Sequence, residues 1–572
     1  MSKSSGRGVS AGAAGVLFAL AGSASAQQVF NFNNSCATGV WDSSCNPLAG
    51  VWRNNWGQTA ATQAGLSFPG ALDTANIGGA LTVDLASGID VGAINLVSFS
   101  TLRWLNGDLS VGNFNNSATV EKTGGRIFSG LLFNNTGASF NHVSPSAPWY
   151  FAGTVGVTNS GSISLTNGAD TALWSGSVAQ KRLINSGTLA VTNPLNNGEA
   201  STLSGITLVG NTTGRVRVEG NARLDLPSAV EGTLVGDFAA TGLVNIGGMS
   251  VVEATTLSLV PASASPWQWI SGDVVATTAP LTLAGRLRHA GGRIFSGTLN
   301  VQQFGQWTSG GAGTPLYFAG TTTINNQGEF TFEDGADTAL WDGNLQQKRF
   351  TNAGVLRVTN PADNGEVTNL SGFTLVGLPQ GRVLVGADGV LNLGLFVEGT
   401  LVGEHSSSGV ANIGGLVTVQ ATTLGLTPNS AGPWRWTAGD IDASVAPLAN
   451  AGRIEHAGGA DLRWHPQQSA GRDVDLGGLW NAPLLPLNHH DQQRSRRDLH
   501  ARERGRHRAV GRQLAAEAVR QRGHLPRQQP RQQRRSFERL WHHPRRRSAG
   551  PVECRVRGDD EHKRFCERRV RG

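Results

Sequence analysis

The sequence lacks most of the features that announce an enzyme, a membrane span or a helical fold. Beyond the N-terminus no segment approaches the roughly 18 continuous apolar residues that a membrane helix requires. No extended apolar period of 3.6 residues runs through the first 490 residues, and 77 Gly and 22 Pro oppose long helices. There is no GxSxG, HExxH, P-loop or dinucleotide-binding fingerprint. Cysteine is scarce: four occur in 572 residues, and Cys554 and Cys566 fall in a tail of different composition. Cys36 and Cys45, nine apart among Asn, Gly and Pro, read as a loop-closing disulfide in an exported segment. A structural zinc does not fit there, because it needs four ligands and no further Cys or His is near.

What the sequence does have is repetition. ADTALW ends at Trp174 and again at Trp341, 167 residues on; GGRIFSG at residues 124–130 returns at 291–297, and EGTLVG at Glu231 returns at Glu398. Long-period repetition of short, Gly-bounded segments marks a solenoid. Within each long repeat a smaller unit recurs. Asn159-Ser160-Gly161 and Asn185-Ser186-Gly187 precede SISLTN and TLAVTN, and Asn326-Gln327-Gly328 and Asn352-Ala353-Gly354 precede EFTFED and VLRVTN. Spacings of 24–26 residues suit one coil of a β-helix, with Asn and Gly expected to turn the chain by accepting positive φ. In SISLT, Ile163 and Leu165 share one strand face and Ser162, Ser164 and Thr166 the other, so stacked coils would pile the first set into an apolar column. The pattern predicts an all-β, right-handed parallel β-helix; an array of β-sandwiches fits the variable Asn-x-Gly coils less well.

The N-terminus reads as a secretory signal: Lys3 and Arg7, an apolar stretch at 11–21, and Ala24-Ser25-Ala26 as a cleavage site before Gln27. The expected organisation is a signal peptide over 1–26, an N-terminal cap over 27–70, repeats over 71–244 and 245–411, a truncated third repeat over 412–483, and a tail over 484–572. Trp41, Trp52 and Trp56 crowd the cap and are expected to form an aromatic plug over the first coil.

The tail is a different text. Residues 491–572 carry 24 Arg and one Lys against ten acidic residues, a net +15, whereas the first 490 residues carry 22 basic and 30 acidic, a net −8. Residues 497–523, moved one nucleotide forward through permitted codons, give approximately GTFTLENGADTALWGGNLQQKRFVNAG, close to the second repeat at 328–354. The tail therefore reads as an out-of-frame translation of the third repeat and is expected to be disordered. Its arginines are a product of the frame, so the sequence predicts no nucleic-acid partner.

No catalytic, cofactor or metal site emerges from the residues. Asp170 and Asp337 in GADTALW could contact calcium or carbohydrate, but no DxDxDG-like cluster accompanies them, and a turn carboxylate with the following Trp covering the coil edge is the preferred reading. The candidate surface contacts are the pairs Trp267/Trp269 and Trp434/Trp436, with Trp104 at the matching place in the first repeat. Residues one apart share a strand face, so the same spacing also suits a core.

The signal-like N-terminus followed by Asn-x-Gly coils, such as INSGTLAVTN at 184–193 and FTNAGVLRVTN at 350–360, resembles the passenger regions of bacterial autotransporters and filamentous-haemagglutinin-type adhesins. The resemblance covers residues 27–483. It implies a Gram-negative cell-surface or secreted location and adhesion, matrix interaction or self-association. The expected partner is an extracellular polysaccharide, a host or neighbouring-cell surface, or a second copy of the chain, and no catalysis or cofactor is expected. The enzymatic alternative is an extracellular polysaccharide-modifying β-helix.

Overall fold

The computed structural model describes residues 27–463 apart from 49–50, 58, 61–66, 252–255, 312, 314, 395, 415–423, 431, 439–440, 443–447 and 459–461. The signal-like segment, the Arg-rich tail and its expected disorder lie outside the described residues.

Alternating sequence becomes stacked parallel coils. In Ser162–Thr166, Ile163 and Leu165 are buried while the three hydroxyl residues face outward. This strand pairs in parallel with Ser139–His142 on one side and Thr188–Thr192 on the other, in register. Repetition of that arrangement makes a parallel β-solenoid of about 15 turns. Only the short N-terminal sheet of Ser44–Leu48, Val51–Asn54 and Thr59–Ala60 is antiparallel among the described residues. There is no α-helix among them, only single 3₁₀ turns at Val178–Gln180 and Leu345–Gln347. One continuous apolar column fills the interior, because no coil can bury its inner face alone.

Each coil has three faces. Ile127–Asn134 bends at Gly130, where φ is +116°, and so contributes a first and a second face; Thr119–Lys122 before it and Ser139–His142 after it lie on the third. An alanine at Gly130 would bring its Cβ within 1.6 Å of the Val111 carbonyl oxygen, so the corner requires glycine on two counts.

The Asn-x-Gly units do something other than the turn chemistry expected of them. Asn116, Asn134, Asn159 and Asn185 are buried, and each of the first three donates its side-chain amide to the next carbonyl oxygen, at 2.7, 2.7 and 2.8 Å. The second amide hydrogen goes to the backbone of the following coil, as from Asn134 to the Ser162 carbonyl at 2.9 Å. Each rung thus satisfies polar groups that would otherwise be buried unpaired. Gly161, Gly187, Gly328 and Gly354 are not at positive φ. They are glycines for space: a Cβ at Gly187 or Gly354 would lie 2.1 or 2.2 Å from a carbonyl oxygen of the coil below. Positive φ is instead taken by Asn167, Asn196 and Asn221 and by their counterparts Asp334, Asp363 and Asp388.

At the N-terminal end, Val29–Asn31 pairs with Thr74–Ile77 as the first parallel step. Trp56 packs edge-on against Phe32 and Trp41 at 5.1 and 4.5 Å, and its indole N–H donates to the Trp41 carbonyl. Cys36 is disulfide-bonded; the side chains of Cys45 and Trp52 lie outside the described residues.

The strand register also fixes how the two long repeats are turned relative to each other. From Tyr150 the first face climbs through the steps Tyr150–Ala172, Thr171–Leu203, Thr202–Asp225, Asp225–Asn245, Asn245–Gln268 and Gln268–Arg288. Arg288 belongs to Arg286–His289, which corresponds through the repeat to Thr119–Lys122 on the third face. The second face climbs from Asn159 through Asn185, Gly210 and the Val230–Val251 step to Ser250–Val275 and Val275–Ser296, and so reaches the strand beside Tyr317. One long repeat is therefore seven turns plus one face.

Candidate functional site

The tryptophan pairs singled out from the sequence are interior. Trp267, Trp269 and Trp434 are fully buried and Trp436 is 6% exposed, so they are not surface contacts. Trp267 meets Phe238 edge-on at 4.8 Å, Trp434 meets His405 at 4.7 Å, and the Trp269 indole N–H donates to the Gly272 carbonyl at 3.0 Å. Trp104 repeats that bond to Gly107 at 3.1 Å. The double glycine of GGRIFSG makes room for these rings: a Cβ at Gly125 would lie 1.8 Å from the Trp104 indole, and one at Gly292 2.0 Å from Trp269. An indole offers the largest apolar area of any side chain, and a coil of three short strands needs that bulk to close its interior.

Among the described residues the exposed tryptophans are those of GADTALW. Trp174 and Trp341 are each 50% exposed, and each carries the same company. Tyr150 meets Trp174 edge-on at 5.5 Å, and Tyr317 meets Trp341 at 5.4 Å. The Arg126 guanidinium lies over the Trp174 ring at 4.9 Å and that of Arg293 over Trp341 at 5.4 Å. Each arginine is also beside a carboxylate, Arg126 at 3.7 Å from Asp108 and Arg293 at 3.0 Å from Asp273. The chain has only two tyrosines, and both are used here. Sequence reasoning missed the arginines and tyrosines of these clusters, although Arg126 and Arg293 stand inside the repeated GGRIFSG.

The rest of the motif is a mounting. Gly168 and Gly335 turn the chain at φ +79° and +71°, and Ala169 and Ala336 are buried. The Asp170 carboxylate accepts the Thr202 N–H at 2.7 Å and that of Asp337 the Asn369 N–H at 2.6 Å. Burial raises the Asp170 pKa above the ordinary carboxylate range, against the pull of those hydrogen bonds. Thr171 and Ser204 exchange three hydrogen bonds between 2.6 and 2.9 Å, and Thr338 and Ser371 do the same. The carboxylates thus hold the next coil, while the tryptophan is presented from a fixed strand end.

Two further features were not anticipated. The glutamate of EGTLVG is buried and takes a two-pronged contact from an arginine two coils below: Glu231 from Arg182 at 2.6 and 3.4 Å, Glu398 from Arg349 at 2.9 and 3.2 Å. Inside the first repeat, Lys122 is wholly buried, lies 5.5 Å from the Trp104 ring and donates to the Ala147 carbonyl at 2.6 Å. Burial brings its pKa down to about 7. One coil on, His142 is brought down to about 4 by burial and by the neighbouring Lys122 charge. The Lys122 and His142 side chains are both buried in the coil interior.

A groove of about 370 Å³ opens on the second repeat, lined by Thr282, Asn300, Gln302, Asn325, Gln327 and Thr351 among others, all uncharged. Hydrolysis of a glycosidic bond needs two carboxyl groups flanking it, and this groove presents none. Among the described residues no three of His, Cys, Asp or Glu converge as a metal-binding group, and no helix is long and apolar enough to cross a membrane. No protein-family model matches the chain, and neither a curated protein nor a solved structure does. The solenoid is compatible with the β-helical passenger architecture that the sequence resembles, and the fold is the level at which that likeness stands.

Proposed function

We propose that the protein is an exported structural or adhesive solenoid, non-enzymatic and passenger-like, that holds an extracellular polysaccharide at the Arg–Tyr–Trp clusters. The observation that carries this reading is the duplication of the cluster with its geometry intact: Arg126/Tyr150/Trp174 and Arg293/Tyr317/Trp341. A half-exposed indole costs solvation unless something covers it, and its face suits the C–H side of a sugar ring. The flanking Arg–Asp pair supplies donors and acceptors without net charge, which matches hydroxyl groups better than phosphates. Each exposed apolar patch is small, Trp174 with Leu173 and Trp341 with Leu340, and falls short of the roughly 800 Å² per partner of a stable protein interface.

Export is supported by the signal-like N-terminus and by the disulfide at Cys36, which suits an oxidising compartment. At the expected cleavage point the Gln27 side-chain amide donates to the Thr74 hydroxyl and the Gln28 N–H to the Asp73 carboxylate.

The test is electrophoresis through native gels containing dextran, galactomannan or mixed-linkage β-glucan. At least one polymer should retard the wild-type protein, and Trp174→Ala/Trp341→Ala should migrate as in a polymer-free gel with its thermal midpoint unchanged. Absence of retardation in every gel, or full retardation of the double variant, overturns the reading.

A further inference from the structure

Resting on that reading, the register of the solenoid specifies how many polymer chains one molecule can hold. Equal clusters 167 residues apart suggest a single ridge with a ligand lying along it. The strand pairing excludes that arrangement. Tyr150 stands on the first face, whose column continues to Gln268 and Arg288. Tyr317 stands on the column that continues the second face, reached through Ser250–Val275 and Val275–Ser296. The step from one cluster to the next is seven turns and one face. At about 4.8 Å per turn the clusters are roughly 35 Å apart along the axis. They look out from adjoining faces of a three-faced prism, across the corner at which Gly130 bends the chain in the first repeat; the bend at its counterpart Gly297 falls one corner on, between the second and third faces.

We infer that the protein is a cross-bridge: each cluster takes its own polysaccharide chain, and one molecule ties two chains together. A chain lying flat on the Trp174 ring leaves along the first face and passes beside Trp341, which points elsewhere. To occupy both clusters one chain would have to fold around a sheet corner while keeping a sugar face against each indole. Two chains meet no such demand. The neutral, paired Arg–Asp groups at both clusters give the two chains the same chemistry, so the bridge joins like to like.

The experiment uses the full chain and whichever polysaccharide retards it, measured two ways on four proteins: wild type, Trp174→Ala, Trp341→Ala and the double variant. Gel retardation reports binding, and low-shear viscosity of a semidilute polymer solution reports cross-linking. Wild type should raise the viscosity several-fold, with a maximum at intermediate protein-to-polymer ratio where both clusters are filled by different chains. Each single variant should keep retardation within about threefold of wild type and leave the viscosity at that of polymer alone. Three results overturn the inference: single variants that still raise the viscosity, which would place the second contact elsewhere or in self-association; wild type that binds more than tenfold tighter than either single variant with no rise in viscosity, the sign of one chain wrapped over both clusters; and equal viscosity across all four proteins. Loss of retardation in wild type sinks the polysaccharide reading itself and is distinct from each of these.

Discussion

The two long repeats share a surface and differ in their interiors. Outside, the Arg–Tyr–Trp cluster recurs with the same geometry, and so do the half-buried Asp and buried Thr that mount it and the pairing of an Arg with a buried Glu. Inside, the first repeat stacks Trp104, Lys122 and His142 where the second stacks Trp269, His289 and Ser309. His289 has both ring nitrogens engaged, by the Ser309 hydroxyl at 2.8 Å and the Gly292 carbonyl at 2.6 Å. His142 bonds through Nε2 to the Asp170 carbonyl, and its Nδ1 is buried without a partner. The asparagine ladder differs as well. Asn116 and Asn134 of the first repeat are matched by Leu283 and Val301, so the second ladder begins only at Asn326, whose Oδ1 receives no donor. Interior columns exchange polar rungs for apolar ones with little effect on the coil's outline, whereas the outer cluster is kept whole. That contrast is expected when selection acts on what the coil presents and the core has only to be filled.

The largest effect should come from what both repeats require. Gly125→Ala and Gly292→Ala drive a Cβ into the buried indole of Trp104 or Trp269, and each should cost at least about 3 kcal/mol in urea unfolding. A tolerant Gly292 beside an intolerant Gly125 would show that the repeats are not equivalent at this corner.

Acid should separate the repeats next. His142 sits near pKa 4 in the fold against about 6.5 in the unfolded chain, so the unfolded state takes up a proton first as pH falls. Its stability contribution is intact above pH 6.5 and is lost progressively down to pH 4, about 3 kcal/mol in all. Lys122 acts in a separate window, its penalty growing as pH falls from about 10.5 to 7 and constant below. Hydrogen exchange should therefore lose protection at Ser139–His142 on acidification. His142→Ser, which installs the residue found at Ser309, should remove most of that loss. An unchanged acid profile in the variant would assign the sensitivity to His289 or His405, which burial also lowers.

The ladders give the smallest contrast. Asn159→Val strands a donor on Asn134 and an acceptor on Asn185, and should cost about 2–3 kcal/mol. Asn326→Val strands the Asn352 side-chain oxygen and the Val355 carbonyl but no donor, and removes an oxygen already unpaired, so about 1 kcal/mol less is expected than for Asn159→Val, which strands the Asn134 donor as well. Equal costs in chemical denaturation would mean that the ladder acts by shape and not by hydrogen bonding.

Much of the fold was legible without coordinates. Ser162–Thr166 declares its inward residues by alternation, and the 167-residue echoes of GGRIFSG, ADTALW and EGTLVG declare a solenoid. The candidate site was not. Trp267 and Trp269 are spaced as a strand face, but alternation only says that both point the same way; neighbouring coils decide whether that way is inward. Trp174 and Trp341 carried a usable signal, since each immediately follows its strand and precedes a turn at Gly176 or Gly343. Arg126 and Tyr150 are a coil apart, and nothing local links them.

By itself the amino-acid order determined short β-strands, turns built from Asn and Gly, a shared apolar column and a unit copied every 167 residues, because these depend on side-chain period, backbone preference and self-similarity. Only the tertiary structure decided which tryptophans are core and which are surface, and that successive copies are turned by one face. Coil lengths of 18, 25 and 26 residues convert into rotation only through the register of the strands they connect, and that register is a property of the stack.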